Sequence, residues 1–167
     1  MVNENRINYA TGLFTRPLVE TLLHHEIARA QRYPSPLTLL RLALYIPPGD
    51  YPRELAHLLI ADLLNTNLRA TDVPGHFDDD YLIIFPATPL LGGLTVASRL
   101  AHRAKILHPV EQGYGDHFDL AVCIGISAHQ GGNEISEADL LAQASTALDE
   151  AKRKGPHSVV SFNELKK

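Results

Sequence analysis

The stretch Arg69-Ala70-Thr71-Asp72-Val73-Pro74-Gly75-His76-Phe77-Asp78-Asp79-Asp80-Tyr81-Leu82-Ile83-Ile84-Phe85-Pro86 decides how the rest of the chain is read. Residues 72–77 and 81–86 are two short runs of strand length, and Asp78 and Asp79 fall in the turn between them. That pattern predicts a hairpin with an acidic tip. Upstream, residues 53–69 place Leu55, Leu58, Leu59, Leu63 and Leu64 on one broad apolar face, as a helix does. Before it, residues 37–46 form a dense apolar run bounded by prolines, the mark of a buried central strand. The segment 47–52, with Pro47, Pro48, Gly49 and Pro52, is a loop. Residues 18–30 keep helical spacing, with Thr15 as N-cap and Pro17 in the first turn.

Downstream of the hairpin, Thr88-Pro89 opens a third helix, cap residue then proline, which runs to about residue 107. A second buried strand follows over 118–127. Ser136 with Asp139 three residues later is a capping-box variant. It opens a fourth helix, whose Leu140, Leu141, Ala144, Ala147, Leu148 and Ala151 share a face. Gly155 ends that helix, and 158–162 makes an edge strand. The order α β α β β α β α β predicts an α/β sandwich whose sheet need not be all parallel.

Composition bounds the rest. The 167 residues suit one domain, spanning 1–167, with a proper core. Fifteen basic residues against 19 acidic give a net charge of −4, which excludes a general binder of nucleic-acid polymers and leaves room for a small local anion site. Cys123 is the single cysteine, so no internal disulfide and no thiolate metal cluster is expected. No run approaches the roughly 20 apolar residues that span a bilayer, and residues 1–8 carry no apolar signal core. The expectation is a cytoplasmic protein that does not enter membranes. The nine histidines show no HxxxH or HxH spacing, and they read as surface residues holding no metal.

Several local signatures now meet this order of elements. Thr11-Gly12-Leu13-Phe14-Thr15-Arg16 is similar to an "LTGLxNR" opening, and Arg69-Ala70-Thr71-Asp72 to an RxxD. Phe77-Asp78-Asp79-Asp80-Tyr81 occupies a GGDEF hairpin, and the residues up to Thr88 follow "xxLLPxT". Residues 121–127 match "xxSIGxA", and 140–155 match "LLxxADxALYxAKxxG". The chain resembles the GGDEF (diguanylate cyclase) family over nearly its whole length. The resemblance implies an α/β fold like the nucleotidyl-cyclase and polymerase palm, ferredoxin-like, with a central, mostly antiparallel five-stranded sheet flanked by helices. It also implies a bacterial second-messenger signalling role.

The resemblance further implies that catalysis is lost. Joining two GTP molecules needs divalent ions held by carboxylates from adjoining strands. The first-strand positions of the family's metal-binding aspartate fall here on Ala43 and Tyr45, leaving Asp80 as a lone carboxylate. The motif's glycines are replaced by Phe77 and Asp78, which set bulk and negative charge against a triphosphate. The guanine-holding loop is shortened to the proline-rich segment 47–52. Lys152 keeps the "AK" lysine, but Pro156 stands where an arginine belongs. No metal and no cofactor is therefore expected.

The family's product, cyclic di-GMP, binds many members at an inhibitory site built on RxxD, and Arg69 and Asp72 keep both residues. Arginine's planar fork can donate two hydrogen bonds to the O6/N7 edge of guanine or to a phosphate, while aspartate accepts from the other edge. Arg99, on the helix after the hairpin, fits the place of a second guanidinium, with Arg103 one turn further on the same face. His76 beside the site can stack on a base. The same pair also suits a purely structural role, capping the second helix and forming a surface ion pair worth at most about 1 kcal/mol. Three functions stay open: a cyclic di-GMP receptor, a nucleotide-independent module that forms a homodimer or docks another signalling protein, and a weak GTP-binding regulatory domain. A cyclase using Asp79 and Asp80 with an unusual metal arrangement is the remaining enzymatic reading.

Overall fold

The computed structural model describes residues 7–45, 53–107 and 120–165. In chain order the elements are α1 (Arg16–Arg32), β1 (Leu37–Leu44), α2 (Arg53–Asn67), β2 (Val73–Phe77), β3 (Asp80–Pro86), α3 (Leu90–Lys105), β4 (Val122–His129), α4 (Glu137–Lys154), β5 (Val159–Ser161) and α5 (Phe162–Leu165). The strands form one sheet in the order β2-β3-β1-β4-β5, antiparallel throughout except for the β4–β5 pair. The expected α/β sandwich with a mostly antiparallel five-stranded sheet is the fold of this chain.

β1 lies at the centre because both of its faces are apolar, and the alternation of a strand divides them. Leu40 and Leu42 join the core under α2 and α3, whereas Leu37 and Leu39 join the core under α1 and α4. By the same alternation Arg41 and Ala43 lie on the α1/α4 side. Gly125 on β4 permits close packing of α4, since a Cβ there would meet the Leu148 backbone nitrogen at 2.1 Å. The edge of β2 is covered by the N-terminal segment: the Phe14 N–H donates to the Pro74 carbonyl at 3.1 Å and the His76 N–H to Phe14 at 2.9 Å.

The capping-box serine holds. Ser136 Oγ accepts from the Asp139 N–H at 3.3 Å. Elsewhere the boundaries move for local reasons. The third helix begins one residue later than expected, with Pro89 rather than Thr88 as N-cap. Thr88 is buried, its hydroxyl donates back to the Pro86 carbonyl at 2.9 Å, and its own carbonyl accepts from Thr38 at 2.7 Å. α2 stops at Asn67, short of Arg69, because the next residues turn sharply. The short α5 has no counterpart in the expected order. The proline-rich loop 47–52 and the start of the strand expected over 118–127 lie outside the described residues.

Candidate functional site

The hairpin tip comes first. Phe77 pairs with Asp80, so the two turn positions are Asp78 and Asp79 and Phe77 ends β2, as the two strand-length runs predict. Asp78 takes the left-handed conformation at φ 57°, which aspartate tolerates better than most residues. The Phe77 ring is buried between two guanidiniums: Arg16 Cζ stands 4.4 Å and Arg41 Cζ 4.6 Å from its centroid. Arg16, at the start of α1, also pairs with Asp78 and with Glu20.

Arg41 is the organising residue. It is only 6% exposed, a rare place for an arginine. Nη1 donates to Ser145 Oγ of α4 at 2.9 Å and Nη2 to Asp80 Oδ2 at 3.4 Å, while Nε has no hydrogen-bond partner among the described residues. Lys152 Nζ approaches the same Asp80 oxygen at 3.9 Å. Burial pulls the Arg41 guanidinium below its ordinary pKa, and the Asp80 charge opposes that pull.

The β1–β3 register, continued by one pair beyond Leu42 and Tyr81, sets Ala43 opposite Asp80. Ala43 is buried among Cys123, Ala147, Leu148, Ala151 and Val160. A divalent ion held by this fold needs carboxylates from the facing strands. Here one of those positions is a methyl group, and the other's carboxylate is bracketed by a guanidinium and an ammonium. The residues present do not fit the metal. Among the described residues no group of three or more His, Cys, Asp or Glu side chains is placed to hold one.

On the other side of the hairpin, Arg53, His57, His76 and Asp78, Asp79 and Asp80 line a cleft of about 220 Å³. His57 Nδ1 lies 2.5 Å from the Tyr81 hydroxyl and His76 Nε2 2.7 Å from Thr11 Oγ1. Burial lowers the pKa of both rings, and the Arg53 charge adds to it at His57. The expectation that all histidines are surface residues is therefore corrected for these two, which are half-buried and hydrogen-bonded to neighbours. His76, read as free to stack on a base, is engaged by Thr11 and packs 5.5 Å from the Tyr81 ring.

The second region is the end of α2. Asp72 is buried, its Oδ2 accepts the Arg69 N–H at 2.8 Å, and its own N–H donates to the Arg69 carbonyl at 3.1 Å. This reciprocal pair folds residues 69–72 into the turn that ends α2. Burial raises the Asp72 pKa; the Arg69 hydrogen bond and the Arg69 and Arg99 charges act against the rise. Arg99 Nη2 donates to the Asn67 carbonyl at 2.9 Å, and Arg103 Nη1 to Asn67 Oδ1. Cations at a helix C-terminus are favoured by its exposed carbonyls. The exposed Arg69 guanidinium has no hydrogen bond or ion pair among the described residues. Beside it, a cavity of about 220 Å³ is lined by Phe14, Leu64, Leu68 and Pro74 together with Arg69 and Asp72. All four residues expected from the sequence thus gather at one helix end.

Sequence reasoning passed over Arg16, Arg41 and His57. The signal for Arg41 was available: a single charge at an inward position of Leu39-Leu40-Arg41-Leu42, a buried strand, demands a partner.

Residues 58–158 match the family described as "Diguanylate cyclase, GGDEF domain". No curated protein sequence matches the chain. Among solved structures it is similar to the FimX GGDEF domain from Pseudomonas aeruginosa, with 19% identity and a TM-score of 0.80 over 92% of this chain and 98% of that one. It is also similar to the GGDEF domain of DgcB from Caulobacter crescentus, solved in complex with c-di-GMP, at 14% identity and a TM-score of 0.82, covering 98% and 99% of the two chains. A third is the diguanylate cyclase SiaD from Pseudomonas aeruginosa, solved with its activator SiaC. There the identity is 22% and the TM-score 0.77, over 93% of this chain and 61% of that one.

Proposed function

From the premise that this chain belongs to the diguanylate cyclase GGDEF family, we propose that it is a catalytically inactive member that binds cyclic di-GMP at the turn ending α2. The observation that carries the reading is the gathering of Arg69, Arg99 and Arg103 at the one helix end that also carries the buried Asp72. Arg99 and Arg103 both donate to Asn67, and the Arg69 guanidinium is without a hydrogen bond or ion pair among the described residues. Arg69 donates its fork to the O6/N7 edge of a guanine or to a phosphate. Asp72 uses Oδ2 to fold the turn and offers its carboxylate to the N1–H and exocyclic amine. Phe14, Leu68 and Pro74 give the base an apolar wall. Arg99 and Arg103 supply charge to the second half of the dinucleotide. The solved complex of the similar DgcB domain with c-di-GMP supports the choice of ligand.

Inactivity rests on the hairpin. Arg41 and Lys152 neutralise Asp80, and Ala43 offers no ligand, so a triphosphate brought there lacks the ions that would activate its partner's hydroxyl. Calorimetric titration with cyclic di-GMP tests the binding claim. Micromolar affinity is expected, falling at least about tenfold in Arg69→Ala. Incubation with GTP and Mg²⁺ or Mn²⁺ is expected to give no product.

A second reading, a partner-docking module that needs no nucleotide, is favoured by one observation: Asp72, Arg99 and Arg103 already complete the end of α2 from within. The structure of SiaD with its activator SiaC offers a protein-partner parallel. Absence of heat with the dinucleotide, together with ligand-independent self-association in sedimentation, would select it.

A further inference from the structure

On the cyclic di-GMP reading of the turn ending α2, on which this rests, we propose that residues 8–16 form a strap that regulates the site. The strap clasps both elements that flank the turn, so its docking and the ligand's occupancy strengthen each other. Its sequence folds it on itself. Asn8 Oδ1 accepts from the Ala10 and Thr11 N–H groups at 3.0 and 3.2 Å, the self-closing turn that asparagine favours. The Gly12 N–H donates to the Asn8 carbonyl at 2.7 Å, and the Asn8 N–H to the Leu13 carbonyl at 2.8 Å. Gly12 takes φ 73°, which glycine adopts without strain. Leu13 is fully buried in the core under α2 and α3.

From this loop the chain is tied to both sides of the turn. On the α2 side, Asn65 Nδ2 donates to the Thr11 carbonyl at 2.9 Å. On the β2 side, Thr11 Oγ1 lies 2.7 Å from His76 Nε2. Phe14 then brackets Gly75, its N–H donating to the Pro74 carbonyl at 3.1 Å and its carbonyl accepting the His76 N–H at 2.9 Å. Residues 68–72, with Arg69 and Asp72, lie between these two anchorages. The strap also builds the cavity beside the turn, where Gly12 and Phe14 form a wall together with Leu68, Arg69, Asp72 and Pro74.

A ligand seated in that cavity touches the turn and the strap together. Lifting the strap removes Gly12 and Phe14 from the cavity and bares the edge of β2. A segment held by Leu13 and these hydrogen bonds opens at lower cost than the sheet beneath it. The docked form is the binding-competent one, and apparent affinity scales with its population. Linkage makes the effect mutual: the ligand favours docking by the same factor by which docking favours the ligand. Whatever lifts residues 8–16 therefore releases the dinucleotide, and occupancy of the turn is reported at the strap.

Neither Asn8 nor Thr11 lines the cavity, so Asn8→Ala and Thr11→Val loosen the strap and leave the walls of the site in place. Calorimetric titration should show both variants binding cyclic di-GMP at least about fivefold more weakly than wild type. In the wild-type protein, saturating cyclic di-GMP should slow hydrogen exchange of the Phe14 and His76 amides by a similar factor. Unchanged affinity in either variant, or unchanged exchange at these amides with ligand bound, would overturn the coupling and leave the site standing. No heat with the wild-type protein would overturn the reading of the site itself, and the coupling with it.

Discussion

The hairpin tip and the end of α2 are both charged, and they are charged in opposite ways. At the tip three cations are paired with carboxylates of the fold: Arg16 with Asp78 and Glu20, and Arg41 and Lys152 with Asp80. At the α2 turn Arg99 and Arg103 donate to Asn67, beside one buried carboxylate, and the Arg69 guanidinium has no hydrogen bond or ion pair among the described residues. The first arrangement pairs these charges within the fold. The second is open and has charge to spare. On the proposed function, this fold retires one site by satisfying it internally while a second stays available.

The largest effect expected from this contrast is at Asp80. Asp80→Asn leaves Arg41 buried without its counter-charge and should cost about 3 kcal/mol in urea denaturation. Asp79→Asn, one residue away but exposed, should cost less than about 0.5 kcal/mol. Equal small losses would mean that the tip is not internally closed, and the contrast would fail. The same closure predicts that Mg²⁺ or EDTA leaves the wild-type melting temperature unmoved.

Next comes Arg69→Ala, which should behave in the reverse manner. Its loss of cyclic di-GMP affinity, at least about tenfold, corresponds to about 1.4 kcal/mol. Its effect on stability should stay within about 0.5 kcal/mol, because the side chain is exposed and has no hydrogen bond or ion pair among the described residues. A variant that unfolds the protein and binds normally would exchange the roles of the two regions.

How far these roles could be read beforehand differs between them. The hairpin itself was legible, because two strand-length runs around Asp78 and Asp79 leave little choice of pairing. So were the pairs Arg69 with Asp72 and Arg99 with Arg103, which spacing fixes locally, whereas the meeting of the two pairs followed only from the resemblance to the family. The closure of the tip was not legible. It joins Arg16, Arg41, Asp80 and Lys152, which come from α1, β1, β3 and α4, and no local spacing links them. The end of the first hairpin strand at Phe77 was legible too, and its pairing with Asp80 bears it out. Capping could not be told from binding at Asp72 either, and the structure explains why. One carboxylate oxygen already folds the turn, so both roles use the same residue.

A smaller effect should appear in the pH dependence of binding. Burial raises the Asp72 pKa, so the carboxylate is lost at a higher pH than an ordinary aspartate. Cyclic di-GMP affinity should therefore weaken on acidification earlier than for an exposed acceptor. The stability contribution of the group runs the other way. With its native pKa above the unfolded one, the native state binds the proton more readily, and acidification through that window favours the fold. Weakened binding with retained thermal stability would fit this sign; weakened binding together with unfolding would not.

The smallest effect should come from the exposed half of the closed tip. Arg16 and Asp78 form an ion pair, but their side chains are 45% and 60% exposed, so solvent screens it. Asp78→Asn keeps a residue that tolerates φ 57° and removes only the charge, and should cost less than about 1 kcal/mol. The loss should vanish in about 1 M salt, where the screening length falls to a few ångströms. Asp78→Val keeps neither the charge nor the tolerance, and forcing a β-branched residue into the left-handed region adds about 1–2 kcal/mol that salt cannot remove. If both variants lost stability equally and salt erased both losses, the turn would be held by charge alone, and the backbone at Asp78 would carry none of the closure.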